Sequence, residues 1–214
     1  MRAIALLSIA TSISFAQDTR DPAADPLGRL DPSTRHAVEM LMDSAHSVGL
    51  PYGPLESKAL EGIAKRANGR DILVAVRRVF RALRDARTAL GPSATTDELT
   101  AGAGALRVGI AASELSLLAT TRNGKPLTVP LVVLADLVTR GVPRDTASLT
   151  ISQLWQHGAA DDDFLALWRS VERDIVSGTD PGVALLNRAR EIPAKGPSTT
   201  VPPPATVRPE DAKS

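Results

Sequence analysis

Glycine punctuates this chain at intervals of about one short helix. Gly49, Gly69, Gly91, Gly109, Gly124, Gly141, Gly158 and Gly178 follow one another at separations of 20, 22, 18, 15, 17, 17 and 20 residues. A glycine takes the left-handed backbone just past a helix end without steric penalty. Within about three residues of several of these glycines comes a residue suited to open the next helix. Pro143 has φ preset near −65°, and Asp161 and Asp180 carry capping carboxylates. The stretch from Val132 to Gly178 therefore reads as three helices joined by tight turns, and it sets the pattern for the rest.

The segments between the breaks carry apolar residues at helical spacing. Ile72, Val76, Val79, Phe80, Leu83, Ala86 and Leu90 form one stripe of about five turns. Val38, Leu41, Met42, Ala45 and Val48 form another after the opening Asp31-Pro32, where Leu30 is placed as a hydrophobic staple. Thr95 and Glu98 make the capping-box pattern before Leu99, Ala103 and Leu106, although Gly102 and Gly104 weaken that helix by roughly 1 kcal/mol each. Hydrophobic residues are 43% of the chain and aromatics only 3%. The core must therefore be built from Leu, Val, Ile and Ala, which favours helix over strand. The expectation is an all-α fold of about eight short helices with Gly, Pro and Asp turns, a compact multi-helix bundle. The period of about 18 residues per helix, or about 37 per helix pair, leaves a short αα-hairpin solenoid as the alternative, although tetratricopeptide consensus positions are not seen.

The ends read differently. Arg2, the apolar run to Phe15 and the small residues Ser14 and Ala16 fit a signal peptide over residues 1–16. That run is too short for a permanent membrane anchor. Residues 17–30 read as a polar linker, 31–190 as the helical domain, and 191–214, with six prolines including Pro202-Pro203-Pro204, as a disordered tail. The expected location is exported, either periplasmic or secreted. No cysteine is present, so thiol and disulfide chemistry are excluded.

The segment Gly49-Leu50-Pro51, Pro54-Leu55 and Lys58-Ala59-Leu60-Glu61-Gly62 resembles one that recurs in exported bacterial all-helical proteins. The likeness extends through residues 130–138 and Gly141-Val142-Pro143. The resemblance implies a helix pair with its turn and brings no activity with it.

Catalytic and metal motifs are missing at the level of spacing. HExxH and GxSxG are absent, and His36, His46 and His157 show no ligand spacing. Asp161-Asp162-Asp163 with Glu172 imitates an EF-hand loop, but Leu165, Ala166 and Arg169 occupy positions that loop cannot give up. The aspartates are better explained by the helix dipole. Gly102-Ala103-Gly104 begins a dinucleotide fingerprint that Arg107 ends. The expectation is therefore no catalytic residue, no cofactor and no metal.

Charge is the remaining signal. Residues 58–87 carry nine basic side chains against Glu61, Asp71 and Asp85, while residues 131–178 carry seven acids against four arginines. Arg77, Arg81 and Arg84 share one helix face. Such a face suits an acidic protein surface, anionic lipid or lipopolysaccharide. Nucleic acid is disfavoured by export and by the lack of interleaved aromatics. Trp155, Phe164 and Trp168 read as core of the last helices, or else as an exposed docking platform. The contact-face candidates are thus Arg77, Arg81, Arg84, Trp155, Phe164 and Trp168. The expected function is non-catalytic binding or scaffolding in the cell envelope, with peripheral lipid binding as the alternative.

Overall fold

Seven of the eight punctuating glycines take a positive φ, between 69° and 95°, and each sits at the end of a helix or in a turn. A computed structural model describes residues 26–122 and 124–193. The expected signal peptide, most of the expected linker and the tail from residue 194 lie outside these. The described residues form nine α-helices: α1 (Pro32–Ser47), α2 (Gly53–Ala64), α3 (Gly69–Leu90), α4 (Thr96–Arg107), α5 (Ala112–Thr120), α6 (Thr128–Thr139), α7 (Arg144–Gln156), α8 (Asp161–Val176) and α9 (Pro181–Ala189). One turn of 3-10 helix, Pro26–Arg29, precedes them. The fold is an all-α multi-helix bundle, and among the described residues there is no strand.

Gly69 departs from the pattern. It is the first residue of α3, not a break after α2. The left-handed position in that turn is Arg66, at φ 55°. Asn68 caps α3 by accepting from the Asp71 N–H at 2.9 Å. A glycine is still required at 69 for space. A Cβ there would fall 2.2 Å from Thr34 Oγ1 and 2.7 Å from Asp31 Oδ2, at the capped start of α1.

The other caps follow elementary chemistry. Asp31 accepts from the Thr34 amide at 3.0 Å and Asp180 from the Val183 amide at 3.0 Å. The Thr95–Glu98 box is complete, with bonds of 2.9 and 3.2 Å. At α8 the carboxylate that reaches back is Asp163, accepting from the Ala160 amide at 2.8 Å, while Asp161 is the first helical residue. Pro143 likewise precedes α7 and does not open it.

Helices this short are marginal alone in water, so their stability comes from packing. α3 is the central element. It packs against α1, α2, α4 and α5, and the chain then continues through α4–α6, α6–α7, α6–α8, α7–α9 and α8–α9. The main contacts join helices that are neighbours or next neighbours along the chain. The apolar stripe of α3 is buried as expected, except that Phe80 is half-buried and Ala82 joins the core. Val48, assigned to the α1 stripe, is 61% exposed, because α1 ends at Ser47 and the chain turns away. Leu27 is buried within the supposed linker, and Ile192 packs on the core.

The two glycines of α4 are not equivalent. A Cβ at Gly102 would lie 2.9 Å from Leu90 Cδ1 and 3.3 Å from both Ala86 Cβ and Leu115 Cδ2, whereas one at Gly104 would meet nothing within 4 Å. Gly104→Ala is expected to stabilise the protein by about 0.5–1 kcal/mol, the usual cost of a mid-helix glycine. Gly102→Ala forfeits that gain to overpacking and is expected to destabilise by about 1 kcal/mol. Opposite shifts of the urea midpoint at constant m would establish the difference; equal stabilisation by both would show that the α3–α4 crossing tolerates a methyl.

Candidate functional site

The same 3.6-residue period that buries one side of α3 sends Arg77, Arg78, Arg81 and Arg84 to the other, and all four are exposed. Arg81 Nε donates to the Arg77 carbonyl at 3.4 Å. Among the described residues, no ion pair joins any of the four to a carboxylate. The structure thus brings Arg77, Arg81 and Arg84 together as expected. In α2, Glu61 is engaged within its own helix region, accepting from Lys58 and, at 2.6 Å, from Lys65. These two ammonium groups, Lys58 foremost, hold its carboxyl down at about 2.

Arg87, at the end of α3, has a different task. Its Nη1 donates to the Pro92 carbonyl at 2.8 Å and its Nη2 to the Gly49 carbonyl at 2.9 Å, so one guanidinium ties the turn after α1 to the turn after α3. Its Nε is buried without a hydrogen-bond partner. In the sequence Arg87 is only the last of the nine basic residues of the stretch 58–87. The signal that distinguishes it is its place four residues before Gly91-Pro92, where a cation meets the free carbonyls of a helix end.

Two cavities flank the turn that follows α1. The larger, about 860 Å³, opens between this turn, α2 and α4, with Tyr52, Pro51, Pro54, Lys58, Thr96 and Arg107 in its wall. The rings of His46 and Tyr52 meet edge to face there, 6.3 Å apart. No hydrogen bond joins Ser57, also in this wall, to His46, so these two do not form a nucleophile–base pair. The smaller cavity, about 380 Å³, lies between the C-terminal turn of α1 and the outer side of α3. Neither was legible in the sequence, since the larger depends on how α2 and α4 approach the turn after α1 and the smaller on how α1 crosses α3.

The aromatic candidates do not form a docking platform. Trp155 is 5% exposed and Phe164 0%, with ring centroids 6.3 Å apart, so both belong to the core. Trp168 is half-buried in a knot between α6 and α8. Its indole N–H donates to Asp136, which also accepts from Arg140 Nε at 2.5 Å. The Arg140 guanidinium lies 5.3 Å from the Trp168 ring centre and reaches Glu172 at 2.9 Å. Asp136, ahead of Glu172, holds the Arg140 proton more tightly than usual. Further on, Asp174 pairs with Arg188 at 2.7 and 2.9 Å. Three of the acids of the C-terminal half are thus paired with arginines of that half, and they do not reach the arginines of α3. Among the described residues, no group of three or more acidic, His or Cys side chains is arranged to hold a metal ion.

One buried polar centre was only half anticipated. Glu98, 2% exposed, completes the α4 cap and also accepts from the Leu127 amide at 2.9 Å and from Arg122 at 3.3 Å. Arg122 in turn donates to Ser93 Oγ at 2.9 Å. Burial pushes the Glu98 carboxyl upward, but the Thr95 and Leu127 amides and the Arg122 charge outweigh it, leaving it below the ordinary range. This centre holds the α5–α6 connection onto α4 and is structural.

The chain matches no known family, no curated protein and no solved structure at a significant level.

Proposed function

We propose that this protein is an exported, non-catalytic binding module of the cell envelope, and that its contact surface is the arginine face of α3. The observation that carries this reading is the row Arg77, Arg78, Arg81 and Arg84, exposed and without carboxylate partners among the described residues, while Glu61, Glu98, Asp136 and Asp174 are all engaged. Unneutralised guanidinium groups in a row favour an acidic partner and speed its encounter. The n-region, apolar run and small-residue pattern of residues 1–16 supports export. The partner class is an acidic envelope protein.

The test is capture from envelope extract by crosslinking, with the wild type and with Arg77→Glu/Arg81→Glu/Arg84→Glu, at low salt and at 0.5 M. A partner held by the wild type at low salt and lost by the triple variant is the expected result. At 0.5 M the screening length falls to roughly 4 Å, so capture should weaken. Equal capture by both proteins would remove the arginine face from the interaction. A second reading, peripheral binding to anionic lipid or lipopolysaccharide, is favoured by Val48, an exposed apolar side chain on the rim of the same cavity as Arg84. Anionic vesicles distinguish it: at ~1 kcal/mol per arginine, the triple reversal should weaken vesicle binding by about 100-fold or more.

A further inference from the structure

The smaller cavity beside the arginine face has a composition that selects one class of small molecule. Its apolar wall is Phe80, Val48 and Leu50, and its cations are Arg84 and Arg87. Among the described residues no carboxylate lines it, and the rest of its wall is Ser44, Ser47 and Thr88. Those three hydroxyls donate to carbonyls of their own helices, at 2.7, 2.9 and 3.1 Å. The donors left for a ligand are therefore the guanidinium groups. Arg84 is exposed and has no ion-pair partner among the described residues. Arg87 is held by two backbone carbonyls, which bind its N–H groups but leave its charge unneutralised, and its buried Nε has no hydrogen-bond partner among the described residues. Two uncompensated positive charges beside an apolar wall, in about 380 Å³, match the size and polarity of a small-molecule site. Water serves the charges but not Phe80 and Val48; a neutral hydrocarbon serves the reverse.

We infer that this cavity binds a single-chain anionic amphiphile, a fatty carboxylate, with its alkyl chain against Phe80, Val48 and Leu50 and its carboxylate on Arg84. Arg87 supplies a fixed second charge behind the first. This goes beyond binding by the arginine face and shares only Arg84 with it.

The probe is dodecanoate below its micelle concentration, measured by calorimetric titration of the full chain. Saturation at one molecule per chain is expected, with dodecyltrimethylammonium binding at least about tenfold more weakly, the scale of one charge-assisted hydrogen bond. Arg84→Ala should weaken dodecanoate by a similar factor. Ser44→Trp places an indole in the cavity from an exposed helix position and leaves both arginines in place; it should abolish uptake without shifting the melting temperature. Arg77→Glu/Arg81→Glu should keep dodecanoate binding while losing the acidic partner, so the two readings fail separately. No saturable uptake, equal uptake of the cationic amphiphile, or unchanged uptake by a folded Ser44→Trp would each overturn the assignment.

Discussion

Leu83→Asp is expected to abolish the cooperative melting transition. Leu83 is fully buried in α3, the helix that packs against α1, α2, α4 and α5 at once. Replacing it forfeits roughly 1.5–3 kcal/mol of transfer free energy. The aspartate must then either remain charged in an apolar site or take up a proton there, at a cost of several kcal/mol more. Together these approach the whole stability of an ordinary domain, about 5–15 kcal/mol. Leu137→Asp in α6, equally buried, tests the other half of the bundle in the same way. Thermal unfolding followed by far-UV circular dichroism provides the measurement. A wild-type transition in either variant would remove that residue from the core.

Glu98→Ala should cost about 3–5 kcal/mol, because it strands Arg122 and the Leu127 and Thr95 amides around a buried vacancy. Glu98→Gln keeps the size and one acceptor oxygen and should cost less. The pH dependence has a definite sign. A carboxyl whose folded pKa lies below its unfolded value contributes stability that is fully present above the unfolded value, near about 4.3 for glutamate, and is lost as pH falls through the folded one. The stability difference between wild type and Glu98→Gln should therefore be largest at neutral pH and shrink in acid. Urea unfolding of both proteins at several pH values would measure it. A difference independent of pH would mean that the Glu98 charge contributes nothing beyond its shape.

Glu98 also illustrates what local pattern can and cannot reach. The capping box is visible in the sequence because both of its partners lie within one turn. The bonds to Leu127 and Arg122 cross 29 and 24 residues of chain, and no spacing rule connects them. Arg87 is a similar case. Its position near a helix end is readable, but its bond to Gly49 spans 38 residues. Trp155, Phe164 and Trp168 looked alike by residue type. Only the crossing of α6 and α8 separates Trp168, hydrogen-bonded at the edge, from the two rings in the core.

What the sequence determined by itself is the helical class, most of the turns and the basic side of α3. These follow from short-range physics: backbone freedom at glycine, side-chain capping, and a 3.6-residue period that puts apolar and charged residues on opposite sides of one helix. The tertiary structure alone decided why Gly69 and Gly102 are glycine, which aromatics are buried, that three acids of the C-terminal half are paired locally, and that a cavity with two cations and, among the described residues, no carboxylate opens beside Arg84. Each of these depends on distances between segments far apart along the chain. Those distances are set by how whole helices pack, and no local preference encodes them.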